Sequence, residues 1–391
     1  MKNRIYLDIH VLQTVPPSCV NRDDTGSPKT AIYGGTMRAR VSSQAWKRAM
    51  RKMFSEEIFP ADKLGFRTQF VRDMLKQEIE KLGIEKGRSD IDADLCAGKL
   101  LDNVVEYKNG NKIRITETDS KDKRKIKVLM FFSPAQVKAL ASLAFDERLN
   151  AIEDDPKSKK GKSNEEKDFQ KECVDAIDEY PSIDIALFGR MVASEPLLNC
   201  DAAAQVAHSI STHTIQNEYD YFTAVDDRPP EDTTGAGHLG TIEFNSSTLY
   251  RYATLNLTEL EESLGKADTP EATRGFVEAF IRSMPTGKQN TFANRTLPSM
   301  VYVTIRKDQP VNLCGAFEKP VYTSEGGYAK ESEQRLVAYA KDVYEKFVTE
   351  PVDAFGIGNE IAQISETMPL NVLLDRVFEK TTEYLAESEE T

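Results

Sequence analysis

Between Asn21 and Lys52 stand eight basic residues, Arg22, Lys29, Arg38, Arg40, Lys47, Arg48, Arg51 and Lys52, against two acids, Asp23 and Asp24. This net +6 sits in a 391-residue chain whose formal charge is −12, which leaves −18 for the rest. The second half of the stretch is a helix in outline. Ser42 and Ser43 are hydroxyl caps, and the pattern predicts a helix running to about Phe59. At ~100° per residue, Ala45, Trp46, Ala49, Met50, Met53 and Phe54 fill one half of its wheel, and Lys47, Arg48, Arg51 and Lys52 fill the other. Such a helix demands a core beneath it and an open outer side. A merely solvated face mixes signs, yet no acid appears here before Glu56. Gly34-Gly35 lets backbone come close to a ligand, and Ser42, Ser43 and Gln44 offer hydroxyl, amide and helix-start N–H groups. The stretch reads as a binding site for a polyanion.

The remaining composition narrows the setting. The length allows two or three domains, or one domain with large insertions, and 40% hydrophobic with 29% charged residues is ordinary for a globular protein. No apolar run approaches the roughly 18 residues of a membrane span, and MKNRIYLDIHV lacks a signal-peptide core, so a cytoplasmic protein with no membrane partner is expected. Five scattered cysteines without a C-x-x-C pair point to reduced thiols, not to a disulfide framework or a zinc site. An isoelectric point near 5.1 suits binding through a groove while the outer surface stays acidic.

Along the chain, Ile5, Leu7, Ile9 and Val11 alternate with Tyr6, Asp8 and His10, which predicts a half-buried first strand. Residues 13–32 are broken by Pro16, Pro17, Gly26 and Pro28 into a long loop. Residues 60–180 are mainly helical: Phe66, Phe70, Met74, Leu75, Ile79 and Leu82 make one stripe, and Ser133-Pro134 opens another helix. A small hairpin is expected at Asn109-Gly110, and the charged, low-complexity run 154–168 reads as an exposed loop. Strand character returns at Ile183, Ile185 and Leu187. Residues 192–238 read as an extended projection, followed by strands at 242–257 and 301–305 and by helices around 269–284, 336–347 and 370–385. The order predicts an α+β fold, a sheet with helices on one face, interrupted twice.

Other chemistry finds little support. Gly235-Ala236-Gly237-His238-Leu239-Gly240 matches the dinucleotide fingerprint in letters, but a strand pattern follows it where a helix is required. The four histidines make no metal spacing, and no nucleophile motif occurs, so neither a metal nor a cofactor is expected. Asp23-Asp24 is the one pair able to suggest a magnesium-dependent nuclease. Neighbouring side chains on extended backbone point opposite ways, which favours a role in pinning the loop.

The run His10-Val11-Leu12, Asn21-Arg22-Asp23-Asp24, Lys29, Gly34-Gly35, Arg38 to Gln44 and Lys47 to Arg51 resembles the CasC family, the backbone subunits of the type I-E CRISPR effector complex, Cascade. Asp184 to Met191, Tyr221 to Asp227, Gly237 to Thr241 and Tyr250-Arg251-Tyr252 extend the resemblance in the same order, while 60–180 matches poorly. The resemblance implies a ferredoxin-like (RRM-like) palm made of 1–59, a strand at 181–191 and 238–391. It also implies a helical fingers insertion at 60–180 and a thumb at 192–237. It implies a non-catalytic subunit that polymerises head to tail along CRISPR guide RNA and kinks it at intervals for pairing with target DNA, beside other Cascade subunits. Carried over by position, Arg22, Lys29, Arg38, Arg40, Ser42, Gln44, Lys47 and Arg51 grip guide phosphates, and Arg190 and Met191 lie near the kinked nucleotide. The RRM aromatic signature itself is missing, so base stacking on the sheet face is not expected, and Trp46 is assigned to packing. The alternatives are a metal-dependent RNA-cleaving backbone subunit using Asp23 or Asp24, and a stand-alone RNA-binding protein.

Overall fold

The alternation at residues 5–11 becomes the centre of a large sheet in the computed structural model of the chain. That structure describes residues 4–88, 90–104, 107–108, 111–112, 129–151, 164–191, 199–225 and 236–387. In chain order the elements begin with β1 (Tyr6–Ser18), β2 (Thr30–Tyr33), β3 (Thr36–Val41) and α1 (Ser43–Met53). Next come β4 (Phe66–Thr68), α2 (Val71–Glu85), α3 (Ala93–Asn103), β5 (Tyr107–Lys108), β6 (Asn111–Lys112), β7 (Met130–Phe132) and α4 (Pro134–Ser142). They continue with α5 (Glu147–Ala151), α6 (Asn164–Asp178), α7 (Ile183–Phe188), β8 (Ala204–Val206), β9 (Ser209–Ser211), β10 (Glu218–Val225) and β11 (Ala236–Asn256). The last are α8 (Leu257–Arg282, kinked at Gly265), α9 (Gln289–Phe292), β12 (Met300–Arg306), α10 (Ala329–Lys346), β13 (Asp353–Ile357), β14 (Glu366–Thr367) and α11 (Leu370–Glu387).

The chain divides into two compact units. The first holds Met1–Ile58, Ala204–Thr258 and Thr269–Thr391; the second holds Phe59–Ala203 and Glu259–Asp268. The first is built on a ten-stranded sheet in the order β14-β13-β12-β1-β11-β9-β3-β2, with β8 and β10 also paired to β11. Its pairings are antiparallel except that of β13 with β14. Central β1 places Ile9 between Ala253 of β11 and Val303 of β12. The class is α+β, as expected.

Two expectations about this sheet are corrected. β1 is buried on both faces, not half-buried, and helices cover both sides. One side meets α8 at Phe280, whose carbonyl and ring both contact Arg251 of β11. The other packs Tyr250, Tyr252 and Tyr302 under Leu336, Val337 and Ala340 of α10. The polar look of Asp8 and His10 misled because tyrosines satisfy them. Tyr252 donates to Asp8 at 2.9 Å, Val311 N–H donates to its other oxygen at 2.8 Å, and His10 Nδ1 meets the Tyr250 hydroxyl at 2.9 Å.

The second unit has its own core of Val71, Leu75, Ile79 and Leu82 (α2), Leu100 and Leu101 (α3), Val137 and Leu140 (α4), and Phe169 and Cys173 (α6). Ser133 caps α4 in a capping box with Gln136. β5 and β6 pair antiparallel, with Lys108 opposite Asn111, while the turn residues of the expected hairpin, Asn109 and Gly110, lie outside the described residues. Residues 154–163 of the expected charged loop lie outside the described residues, and Asn164 onward is helix, not loop. The expected strand at 181–191 is corrected as well. Residues 183–188 form α7, in which five consecutive side chains, Ile183 to Leu187 with Asp184 among them, are buried, and a run buried on every side gives no periodicity to separate strand from helix. Gly189 ends it at φ +75°, where a Cβ would press on the Cys200 carbonyl.

Of the expected projection, residues 192–198 and 226–235 lie outside the described residues. β8 and β9 between them join the main sheet, and β10 forms a long hairpin with β11, Phe222 opposite Gly240. The segment 236–240 thus opens a strand, without the helix start a dinucleotide needs.

Burial pushes the His10 imidazole from 6.5 down to about 3. Below pH 6.5 the unfolded chain takes up a proton that folded His10 refuses, so this group drains stability as pH falls toward 3. Asp8 opposes it: burial raises its carboxyl from 3.8 to about 6, a contribution present in acid and lost as pH rises through about 6. Urea unfolding at pH 7.5 and pH 5 is therefore expected to show a loss about 2 kcal/mol larger in wild type than in His10→Gln. Equal losses contradict the assignment.

Candidate nucleic-acid interface

α1 is fixed from below. Trp46, Met50, Met53 and Phe54 are buried, and the Trp46 indole N–H donates to Ser209 Oγ at 3.0 Å. Beneath the indole lies the Arg251 guanidinium, 3.7 Å from the ring centroid, with Phe280 on its other flank at 4.7 Å. Arg251 donates to Gln13 Oε1 at 2.6 Å and to the Phe280 carbonyl. Among the described residues no carboxylate pairs with it, and burial pushes its pKa down to about 9. Trp46 is thus a packing residue, as expected.

The start of α1 is tied to the basic loop. Asn21 Oδ1 accepts from Ser42 N–H at 2.9 Å, and Ser42 Oγ caps Ala45 N–H. The Asn21 carbonyl takes Lys29 N–H at 2.8 Å, and the Lys29 carbonyl takes Arg40 N–H at 2.9 Å. Asp23 accepts from Thr25 N–H, Thr25 Oγ1 and Ser27 N–H at 3.0, 2.7 and 3.0 Å. Those bonds, the Thr25 hydroxyl first, hold its carboxyl below the ordinary aspartate range. One member of the acid pair is thus a loop anchor. Among the described residues no group of three His, Cys, Asp or Glu is placed to hold a metal.

On the outer side, Gln44 and Arg48 are exposed, while Lys47 and Arg51 are half-buried; burial lowers the Lys47 ammonium. Lys52 pairs with Glu56 one turn on, at 3.5 Å. Arg22 is exposed, Lys29 half-buried, and Arg40 meets His208 Nδ1 at 3.0 Å and donates to the Thr30 carbonyl at 3.1 Å.

Two of the expected phosphate-gripping or guide-facing arginines take other places. Arg38 is buried, donating to Ser211 O (2.8 Å), Phe317 O (3.0 Å), Glu318 O (3.2 Å) and Thr36 Oγ1 (2.9 Å). Arg190, in the second unit, is buried too, and donates to Phe131 O at 3.3 Å, Ile177 O at 3.1 Å and Gln136 Oε1 at 3.4 Å. Each guanidinium is spent on protein oxygens, so both staple the scaffold. Met191, next to Arg190, is 85% exposed.

The first unit also brings in cations from outside the 21–52 stretch. Lys288 and Arg295 join Arg22, Arg48 and Lys52 around a cleft of about 580 Å³. Gly287 makes this possible, since a Cβ there would run into the Val20 carbonyl. A signal was present: no Asp or Glu stands between Glu278 and Asp308.

A family model described as CT1975-like protein matches residues 7–380. No curated protein matches the chain. Among solved structures, a chain of a "CRISPR RNA-guided surveillance complex, pre-nicking" is 31% identical, with TM-score 0.76, over 96% of this chain and 100% of that one. A chain of a "CRISPR RNA-guided surveillance complex" is 26% identical, with TM-score 0.64, over 95% and 99%.

If Arg190 is a staple and Met191 a free surface group, their substitutions separate cleanly. Arg190→Met is expected to cost about 2–4 kcal/mol in urea unfolding by stranding its buried acceptors, and Met191→Ala to cost less than about 0.5 kcal/mol.

Proposed function

This chain belongs to the family of CT1975-like proteins, and from that premise we propose that it is a guide-RNA-binding backbone subunit of a Cascade-type surveillance complex, of the type I-E class. The observation that carries the reading is the cationic outer face of α1, clamped from within by Trp46, in a chain similar over nearly its whole length to chains of CRISPR RNA-guided surveillance complexes. Lys47, Arg48, Arg51, Lys52, Arg22, Lys29 and Arg40 neutralise guide phosphates, with Gln44 hydrogen-bonding beside them and Ser42 holding the helix start. Such contacts fix an RNA without reading its bases, as a subunit serving any guide requires.

Burial of Tyr250, Tyr252 and Tyr302 under α10 supports the same reading, since an RRM-like palm with that face covered has no aromatic platform for bases. Exposed Met191 serves as the wedge at a kinked nucleotide. The β10–β11 hairpin, with Tyr219 and Tyr221 exposed, acts as the thumb that reaches the guide held by the next copy, and copies stack head to tail beside other Cascade subunits. Splaying one nucleotide per segment leaves the rest to pair with target DNA. The subunit works in the cytoplasm and is not a nuclease, a reading that the loop-bound Asp23 supports.

Filter binding of single-stranded guide RNA across a salt series tests this. Lys47→Glu with Arg51→Glu is expected to weaken binding and to lower the salt slope by about 1.4, from two lost phosphate contacts at about 0.7 each. An unchanged slope places the RNA elsewhere.

A further inference from the structure

We propose that the cleft between α1 and the 283–295 segment is a second phosphate pocket, taking one backbone phosphodiester of the guide on the hydroxyl of Ser283 and the amide N–H groups of Asn294. The proposal rests on the RNA-binding reading above and adds to it a pocket on the helix's other flank.

The floor carries the argument. Ser283 and Asn294 line the cleft and are 3% and 1% exposed, yet Ser283 Oγ and Asn294 Nδ2 have no hydrogen-bond partner. Buried polar groups are almost always paired, so two orphans in one cleft point to a missing ligand. Asn294 Nδ2 donates only, so the ligand must offer acceptor oxygens. Around the rim, Arg22, Arg48, Lys288 and Arg295 have no carboxylate partner among the described residues. The acids of the cleft are already engaged: Glu56 with Lys52 at 3.5 Å and Glu57 with Arg282 at 2.8 Å. Donors below and uncompensated cations around define a site for an oxyanion. The backbone is held in shape for it, with Lys288 and Ala293 both at φ +46°, a left-handed conformation that non-glycine residues rarely adopt. The volume of about 580 Å³ exceeds that of a bare phosphate.

The test uses the full chain, single-stranded guide RNA, and pyrophosphate as a probe for the phosphate alone. Asn294→Asp keeps shape but puts a negative charge at the floor. In the folded variant it is expected to weaken RNA binding about 10-fold and to abolish competition by pyrophosphate, with a lowered unfolding midpoint from the buried carboxylate. RNA bound equally by wild type and Asn294→Asp overturns the pocket and leaves the RNA reading standing. Pyrophosphate bound through Asn294 by a wild type that ignores RNA keeps the pocket, as a site for free phosphate, and removes the RNA reading. Neither ligand bound removes both. If Asn294→Asp does not fold, Lys288→Ala with Arg295→Ala decides: a salt slope lower by about 1.4 supports the pocket, and an unchanged slope overturns it.

Discussion

A buried cation between two aromatic rings holds the candidate interface together. Arg251 has Trp46 of α1 on one flank and Phe280 of α8 on the other, and bonds Gln13 of β1 from its own place on β11. Four elements converge on one guanidinium. Stripping water from it without a carboxylate partner is costly, and the two rings and two neutral oxygens offset that cost, with cation–π contacts in such dry surroundings worth about 2 kcal/mol. The return is orientation. With Trp46 fixed, α1 cannot roll, so Lys47, Arg48, Arg51 and Lys52 point the same way in every molecule. A leucine in place of Arg251 would fill space but would offer nothing to the oxygens of Gln13 and Phe280.

Beside arginines in surface ion pairs such as Arg282 with Glu57, two further uses of arginine among the described residues differ in burial. Arg38, Arg190, Arg251 and Arg306 lie inside, each donating to protein oxygens; Arg306, for instance, reaches Asp308 at 2.7 Å and the Thr349 carbonyl at 2.7 Å. Arg22, Arg48 and Arg295 face the cleft. The planar guanidinium makes the first use possible, since several donors in a fixed fork tie separate segments together at one point.

This explains which parts of the site were legible in the sequence. The helix wheel of α1 separated Trp46 and Met50 from Lys47 and Arg51 because one element decides it. The capping role of Ser42 and the strand of residues 5–11 were readable for the same reason. Arg38 looked like its neighbours Arg22 and Arg40, because its inward turn depends on the carbonyls of Phe317 and Glu318, nearly 280 residues away. Asp8 and His10 read as a wet face because their partners, Tyr252 and Tyr250, come from a strand some 240 residues on. Lys288 and Arg295 form no dense run of positive charge, and their segment is marked instead by absence of acids. Helix α7 was missed because a fully buried run carries no period.

The central claim is that phosphates meet the α1 face and the cleft beside it. Photo-crosslinking of guide RNA to the assembled protein, with the attached peptides identified by mass spectrometry, tests it most directly. The account predicts crosslinks concentrated in peptides covering 40–53 and 283–295. Crosslinks confined to α10, α11 and the strands β12 to β14 would contradict it.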